Sequence, residues 1–509
     1  GITYDHGLVG AVICSMYGLA AFLAGRFFAG RWRRTALPAA TDFINIRFGR
    51  RILNFYTIYR GGYLCINGLS LYALAVMLCP LIPLAEGNLL RDEATGMLSV
   101  DWACIILAAI VIGYTTLGGL WAVLITDMLQ FIVLTLCVVA VVPLIIVKAG
   151  GVMTVVHNAP DGFFQPTAPG FSAIFLVGWL LINLFNLGAE WTYVQRHLCV
   201  PTPRDAQKSM YLFGALYLTT PFLWMAPPFV FRTIQSGIDP QEAYILACKS
   251  VLPAGMIGMM IAAMFSATAS SLSSSLNMYA GALTDGLYKR YIRPDASDAQ
   301  SVFIGRWFTF LIGVYLLAGA LVFPRLGEYR DVLISVLSLS LASLLLPTVW
   351  ALYSPKVGSR TVLWTLLVGI PIIVVYKFAF SETGWLAGNR FLYNLNHFVS
   401  AHRRESDLIV GIVVPLAILL ISELRRGGAD SGWIQSKERI AEFQKRDTQD
   451  RADEQLPLKV FAWSLGLLGT VVAGLTILAN EQVITLASIS FILLASCLFL
   501  VALLRKRAT

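Results

Sequence analysis

Residues 266–275 read SATASSLSSS, so seven of ten side chains between Ser266 and Ser275 carry a hydroxyl. The run lies inside a segment from Ala254 to Leu283 that contains no Asp, Glu, Lys or Arg. That segment is longer than the ~20 residues a helix needs to cross a bilayer. At ~100° per residue, adjacent Ser270 and Ser271 share one broad helix face with Ser274. Two readings stand. Small residues let helices approach closely, and neutral hydroxyl dipoles can replace part of the hydration shell of a small cation.

The rest of the chain sets the environment of this run. Of 509 residues, 57% are hydrophobic and 13% charged, and the mean hydropathy is +0.72. Soluble domains carry roughly 25% charged residues, so an all-α, polytopic membrane protein embedded in a lipid bilayer is expected. About thirteen spans can be read, centred near residues 18, 68, 111, 137, 179, 221, 268, 313, 342, 371, 415, 468 and 494.

The net charge of +9 has a direction. Alternate connections hold 26 of the 38 Lys and Arg, including seven from Arg26 to Arg51, seven from Arg425 to Arg451, and the Arg505-Lys506-Arg507 tail. The positive-inside rule makes this side cytoplasmic, with the start of the chain outside and its end inside the cell membrane. The basic charge is therefore read as a topology signal, and nucleic acid is not expected as a partner. Eight scattered Cys without a CxxC pair, and five His without ligand spacing, suggest neither a disulfide framework nor a metal cluster. No Walker loop, GxSxG or dinucleotide fingerprint is present. The chain is expected to be neither an enzyme nor an ATP-driven pump.

Three other elements carry chemistry. Arg60-Gly61-Gly62 places a cation in or beside the second span, where it either snorkels to the inner boundary, the preferred reading, or pairs with a buried group. In YTTLGGLWAVLITDMLQ (114–130), Gly118-Gly119 predict a tight reversal between the third and fourth spans. Asp127 then opens the fourth span, either as a helix cap in interfacial water or as a carboxylate with a partner. In GWLLINLFNLGAEWTYVQR (178–196), Asn183, Asn186 and Gly188 interrupt an apolar run ahead of Glu190. This pattern fits a discontinuous helix lining a site, or amides joining neighbouring helices.

The last two blocks and AAMFSATASSLSSSLNMYAGALTDGLYKRYI (262–292) occur in an order and at spacings that resemble the sodium:solute symporter family. The shared features are Gly118, Gly119, Thr126, Asp127 and Gln130, the Asn-containing helix followed by Gln195-Arg196, and the Ser-Ser-Leu…Asn helix ending in Asp285 and Tyr288-Lys289. The resemblance covers roughly residues 7 to 360. It implies a leucine-transporter-type fold of two inverted five-helix repeats (5+5), with substrate near the midplane between discontinuous helices. The first span then matches the second core helix, the interrupted fifth span core helix six, and the hydroxyl-rich span core helix eight. In that register the first core helix would precede Gly1, so the chain is expected to be truncated at its N-terminus.

The resemblance further implies domains and sites. Residues 1–360 form the symporter core (core helices two to ten), and 361–424 two additional transmembrane helices. Residues 425–456 form a cytoplasmic polar linker, solvated or folded as an amphipathic helix, and 457–509 two C-terminal spans and a basic tail. Sodium is expected on the Ser270 and Ser271 hydroxyls and the Ala267 carbonyl, as neutral oxygens suit a small hard cation. A second sodium could use Asp127, Ser273 and Ser274. Asn67, Asn183, Asn186 and Glu190 are the candidate contacts for a small polar solute of the sugar, amino acid, carboxylate or nucleoside class. Asn186 stands where sugar-transporting relatives have a Tyr gate, and Cys14 near their acidic position, which argues against a sugar. The expected function is sodium-coupled secondary active symport by a monomer; the alternative is a solute-sensing membrane module derived from a symporter.

Overall fold

The computed structural model describes residues 1–326, 343–380, 393–425 and 427–447, with scattered positions from 462 to 502. Among these the regular structure is helical, apart from three isolated β-bridges. We number the helices that build the site. They are α1 (Val9–Ala24), α2 (Ala40–Phe48), α3 (Arg50–Leu64), α4 (Leu69–Leu78), α5 (Val100–Lys148), α6 (Ala173–Ala189) and α7 (Trp191–Leu198). They continue with α8 (Pro203–Trp224), α9 (Ala254–Leu283), α10 (Asp298–Val322), α11 (Ser359–Leu367), α12 (Gly369–Ala379), α13 (Arg403–Arg425) and α14 (Ser431–Asp447). Among the described residues, seven helical stretches are long and apolar enough to cross a membrane, or eight if the bent α6–α7 pair is one span. The spans expected near 342, 468 and 494 fall largely outside the described residues.

Local sequence sets several of the helix starts. Ser172 caps α6 by accepting the Phe175 N–H at 3.3 Å. Thr202 does the same for α8 with Asp205 at 3.2 Å, and Pro203 occupies the first turn, where its missing N–H costs nothing. The two largest clusters of buried apolar residues among the described residues then gather most of these helices into two groups. One core joins α1, α2, α3, α6, α7, α8, α11, α13 and residues 344–352, with Trp32, Ile44, Phe175 and Leu187 fully buried in it. The other joins α4, the first half of α5, α9 and α10 through Leu71, Cys104, Val111, Leu272, Leu276 and Leu316.

Where the backbones touch, glycine makes it possible. A Cβ built on Gly68 would lie 2.1 Å from the Leu316 carbonyl oxygen, and one on Gly319 2.0 Å from that of Cys65. Both distances are far inside van der Waals contact, so α10 rests directly on the 3₁₀ turn Cys65–Gly68 that separates α3 from α4. Polar residues on that turn are consequently held in place by backbone packing.

The reversal predicted at Gly118-Gly119 is not formed. The backbone is one helix of 49 residues from Val100 to Lys148, about 74 Å at 1.5 Å per residue. Each glycine costs about 1 kcal/mol inside a helix. Leu, Ala and Met around them favour helix, and antiparallel packing along α9 supports it. The Tyr114 hydroxyl donates to the Ala269 carbonyl at 3.1 Å, and Ala108 and Val111 meet Leu272 and Leu276. This length exceeds the ~30 Å hydrocarbon core more than twofold, and Val100–Leu117 and Leu134–Lys148 are apolar stretches of it among the described residues.

The polar stretch after Arg425 forms the helix α14, docked on α2 at the basic end of the bundle. Arg47 of α2 is fully buried, 3.2 Å from the Asp430 carboxylate and 3.1 Å from the Ser354 carbonyl oxygen. Its guanidinium also lies 5.3 Å from the Trp433 ring centre. One buried cation thus ties together α2, the turn before α11 and the start of α14.

Candidate functional site

The hydroxyl run forms part of α9 and divides between two faces of it. Ala269, Leu272, Leu276 and Ala280 are buried in the second core. Ala267 and Ser271 are exposed, and Ser270 and Ser274 half-buried, on a single stripe at i, i+3, i+4 and i+7. One turn further along that stripe, Met278 packs against the first core. The stripe therefore looks along the seam between the two helical groups.

Hydrogen bonding fixes which way a hydroxyl proton of this stripe points. Ser271 donates its hydroxyl proton to the Thr268 carbonyl at 2.9 Å. Its lone pairs are thereby turned outward, which is what a cation requires of a hydroxyl. Ala267, Ser270 and Ser271 stand within one turn and offer only neutral oxygens. Ser273 behaves differently: it is completely buried and donates to the Ser270 carbonyl at 3.1 Å. It lies about 100° around the helix from Ser274, away from the exposed stripe. Asp127 falls on the α5 backbone, and its side chain lies outside the described residues. The thirteen residues from Tyr114 to Asp127 carry α5 about 20 Å past Ala269, away from Ser273 and Ser274.

The expected interruption of the fifth span is present. α6 ends at Ala189, α7 starts at Trp191, and their axes differ by 53°. Glu190 sits at the break in extended backbone, and its carbonyl accepts the N–H groups of Tyr193 and Val194 at 3.0 and 2.9 Å. Gly188 lets Phe28 pack closely, and its carbonyl accepts the Trp32 indole N–H at 2.6 Å. Asn183 is buried and donates to the Trp179 carbonyl at 2.7 Å, inside its own helix. Asn186 is half-buried one turn before the break, and its carbonyl accepts the Glu190 N–H at 2.8 Å.

Arg60 does not snorkel. It is 2% exposed, pairs directly with the Glu190 carboxylate and lies 4.6 Å from the Trp191 ring centre. A buried guanidinium is costly without a counter-charge, and the break between α6 and α7 provides one that α3 can reach. Glu190 is therefore engaged by Arg60 through one carboxylate oxygen and keeps 18% of its side chain exposed. Asn67 stands on the 3₁₀ turn, and its amide reaches the Ser275 hydroxyl at 3.5 Å. The structure thus joins Asn67 to the hydroxyl run, and Glu190 to Arg60.

Sequence reading missed the aromatic residues that line these elements. Tyr17 of α1 donates to the Tyr193 hydroxyl of α7 at 2.6 Å, with Phe213 and Tyr217 of α8 packed edge-on around it. Tyr279, at the end of the hydroxyl run, lies 6.2 Å from Trp191. The one available signal was spacing: Tyr17 follows Cys14 by one turn, and Trp191 and Tyr193 follow directly on Glu190.

Comparison with known proteins bears on the same elements. The model of the sodium:solute symporter family matches residues 1–369. A sodium/glucose cotransporter of Vibrio parahaemolyticus is 26% identical over 362 residues, 64% of this chain and 63% of that protein. A sodium/sialic acid symporter of Aliivibrio fischeri is 25% identical over 312 residues, 57% of this chain and 58% of that protein. The chain thus spans less than two thirds of the length of these curated relatives. A solved Na+-coupled sialic acid symporter, substrate-bound and outward-open, matches with a TM-score of 0.58 at 16% identity. The match covers 82% of this chain and 86% of that one, and shows a shared fold.

Proposed function

The chain belongs to the sodium:solute symporter family, and we propose that it couples inward sodium movement to uptake of a small polar organic solute across the cell membrane by alternating access. The observation that carries this reading is the α9 stripe of Ala267, Ser270, Ser271 and Ser274, which faces the seam between two helical groups with neutral oxygens. Sodium, here a co-substrate, would sit on the Ser270 and Ser271 hydroxyls and the Ala267 carbonyl. The chemistry fits, because a hard monovalent cation favours uncharged oxygens over sulfur. Each ion moving inward contributes ~2.3 kcal/mol per 100 mV of membrane potential. Sodium drives the solute if it favours the solute-competent state, and the solute then favours sodium equally.

The solute would lie beside Asn67, Asn183 and Asn186, whose amides suit hydroxyl or carbonyl groups. Glu190, held by Arg60 through one carboxylate oxygen and 18% exposed, would stand beside them. Relatives named for glucose and for sialic acid support a polar organic solute. The basic end of the bundle, with Arg47 and α14, faces the cytoplasm in this reading.

The test is uptake of labelled sugars, amino acids, carboxylates and nucleosides into proteoliposomes holding the full-length protein, with and without a sodium gradient. Sodium-stimulated uptake of one class that fails in Ser270→Ala/Ser271→Ala supports the proposal. Uptake indifferent both to sodium and to that double substitution sinks it.

A further inference from the structure

Beyond the central seam, α11 and α13 form a groove at the basic end of the bundle. They are tied by the Thr361 and Ser422 hydroxyls, 2.6 Å apart. Next to this tie two side-chain stripes face one cavity of about 520 Å³. Arg360, Trp364 and Val368 follow at i, i+4 and i+8 from the start of α11. Ile418, Ile421 and Arg425 follow at i, i+3 and i+7 up to the end of α13. Because one helix begins where the other ends, Arg360 and Arg425 meet at the same mouth. The apolar side chains line the groove away from them, with Trp364 61% and Ile421 50% exposed.

The nearest carboxylate in sequence does not neutralise the mouth. Glu423 turns to the opposite side, where it accepts the Ser354 hydroxyl at 2.5 Å and the Trp350 indole N–H at 3.2 Å. Among the described residues, no Asp or Glu lines the groove. Two exposed guanidiniums, an aromatic at the boundary and an apolar trough beneath them form one amphipathic site. Guanidinium groups recognise phosphate oxygens through paired N–H donors, Trp favours the membrane–water boundary, and the trough matches an acyl chain.

We infer that the α11–α13 groove binds an anionic phospholipid, with the headgroup phosphate between Arg360 and Arg425 and an acyl chain along Trp364, Val368, Ile418 and Ile421. Near an anionic leaflet each basic residue is worth about fivefold in binding, so the two together are worth roughly 25-fold. The inference does not depend on which solute the protein carries.

Native mass spectrometry of the full chain in detergent, titrated with phosphatidylglycerol, phosphatidylcholine or inorganic phosphate, tests it. Phosphatidylglycerol is expected to bind more tightly than phosphatidylcholine, and to weaken roughly 25-fold in Arg360→Gln/Arg425→Gln. Equal phosphatidylglycerol affinity in that variant, or equal affinity for both lipids, overturns the proposal, as does inorganic phosphate displacing the lipid at micromolar concentration. Brominated phosphatidylglycerol gives a readout that needs no Arg substitution. It is expected to quench a component of Trp emission that is missing from Trp364→Phe. Identical quenching of both proteins would mean that something else fills the groove.

Discussion

The Arg60 guanidinium and the Glu190 carboxylate pair across 130 positions of sequence, joining α3 to the break between α6 and α7. The pair holds a buried cation beside the break at which the span changes direction by 53°. The α6–α7 break is thereby fastened to the helix that leads into the Asn67 turn.

Glu190→Ala leaves Arg60 buried without its counter-charge and is expected to cost about 3–5 kcal/mol of stability. Replacing both, as Arg60→Met/Glu190→Leu, is expected to recover much of that loss. Detergent-phase denaturation of the two singles and the double gives the coupling. An interaction energy near zero would rule out the pair as a structural tie.

Gly68→Ala and Gly319→Ala each drive a methyl into a facing carbonyl and are expected to cost about 1–3 kcal/mol. Gly61 is the control, since a Cβ there meets nothing within 4 Å. Gly61→Ala is expected to be neutral or stabilising by up to about 1 kcal/mol. Melting temperatures compare the three directly, and equal shifts would contradict the backbone contact between α10 and the 3₁₀ turn.

Ser271→Ala and Ser273→Ala should part company although they are two residues apart. The first removes an outward-facing oxygen and is expected to raise the sodium concentration for half-maximal uptake about tenfold, as loss of a charge-assisted contact of about 1.5 kcal/mol would. The second removes a buried hydroxyl that serves its own helix, and is expected to leave sodium dependence within about twofold while changing stability by about 1 kcal/mol. The reverse ranking would move the ion to the other face of α9.

Asp430→Ala removes the carboxylate that Arg47 meets at the head of α14. Arg47 keeps the Ser354 carbonyl, so the membrane helices are expected to stay folded while α14 loosens. Limited proteolysis and hydrogen exchange across Ser431–Asp447 should both accelerate, on the order of tenfold for a loss of about 1.4 kcal/mol. Unchanged rates would show that α14 is held by its apolar contacts alone.

Local features of the site are legible in the sequence alone. Asn183, Asn186 and Gly188 marked the interrupted helix to within a few residues of the break at Glu190, because amides and glycine disturb a helix wherever it packs. The hydroxyl periodicity put Ser270, Ser271 and Ser274 on one stripe of α9. Gly118-Gly119 misled, because a glycine pair permits a reversal without imposing one, and packing against α9 decided for a continuous helix. Arg60 misled for a related reason: snorkelling and pairing look alike until the partner is known.

What the sequence determined by itself was set by short-range physics: the number of apolar residues a bilayer requires, the basic bias of alternate connections, and the disturbance of a helix by Asn and Gly. What only the tertiary structure decided were the partnerships, Arg60 with Glu190, Arg47 with Asp430, Asn67 with Ser275 and Arg360 beside Arg425. Each joins residues separated by more than sixty positions, and a chain's local preferences carry no information about which distant surface will be desolvated against them. Desolvation makes those partners obligatory, and it exists only once the helices have packed.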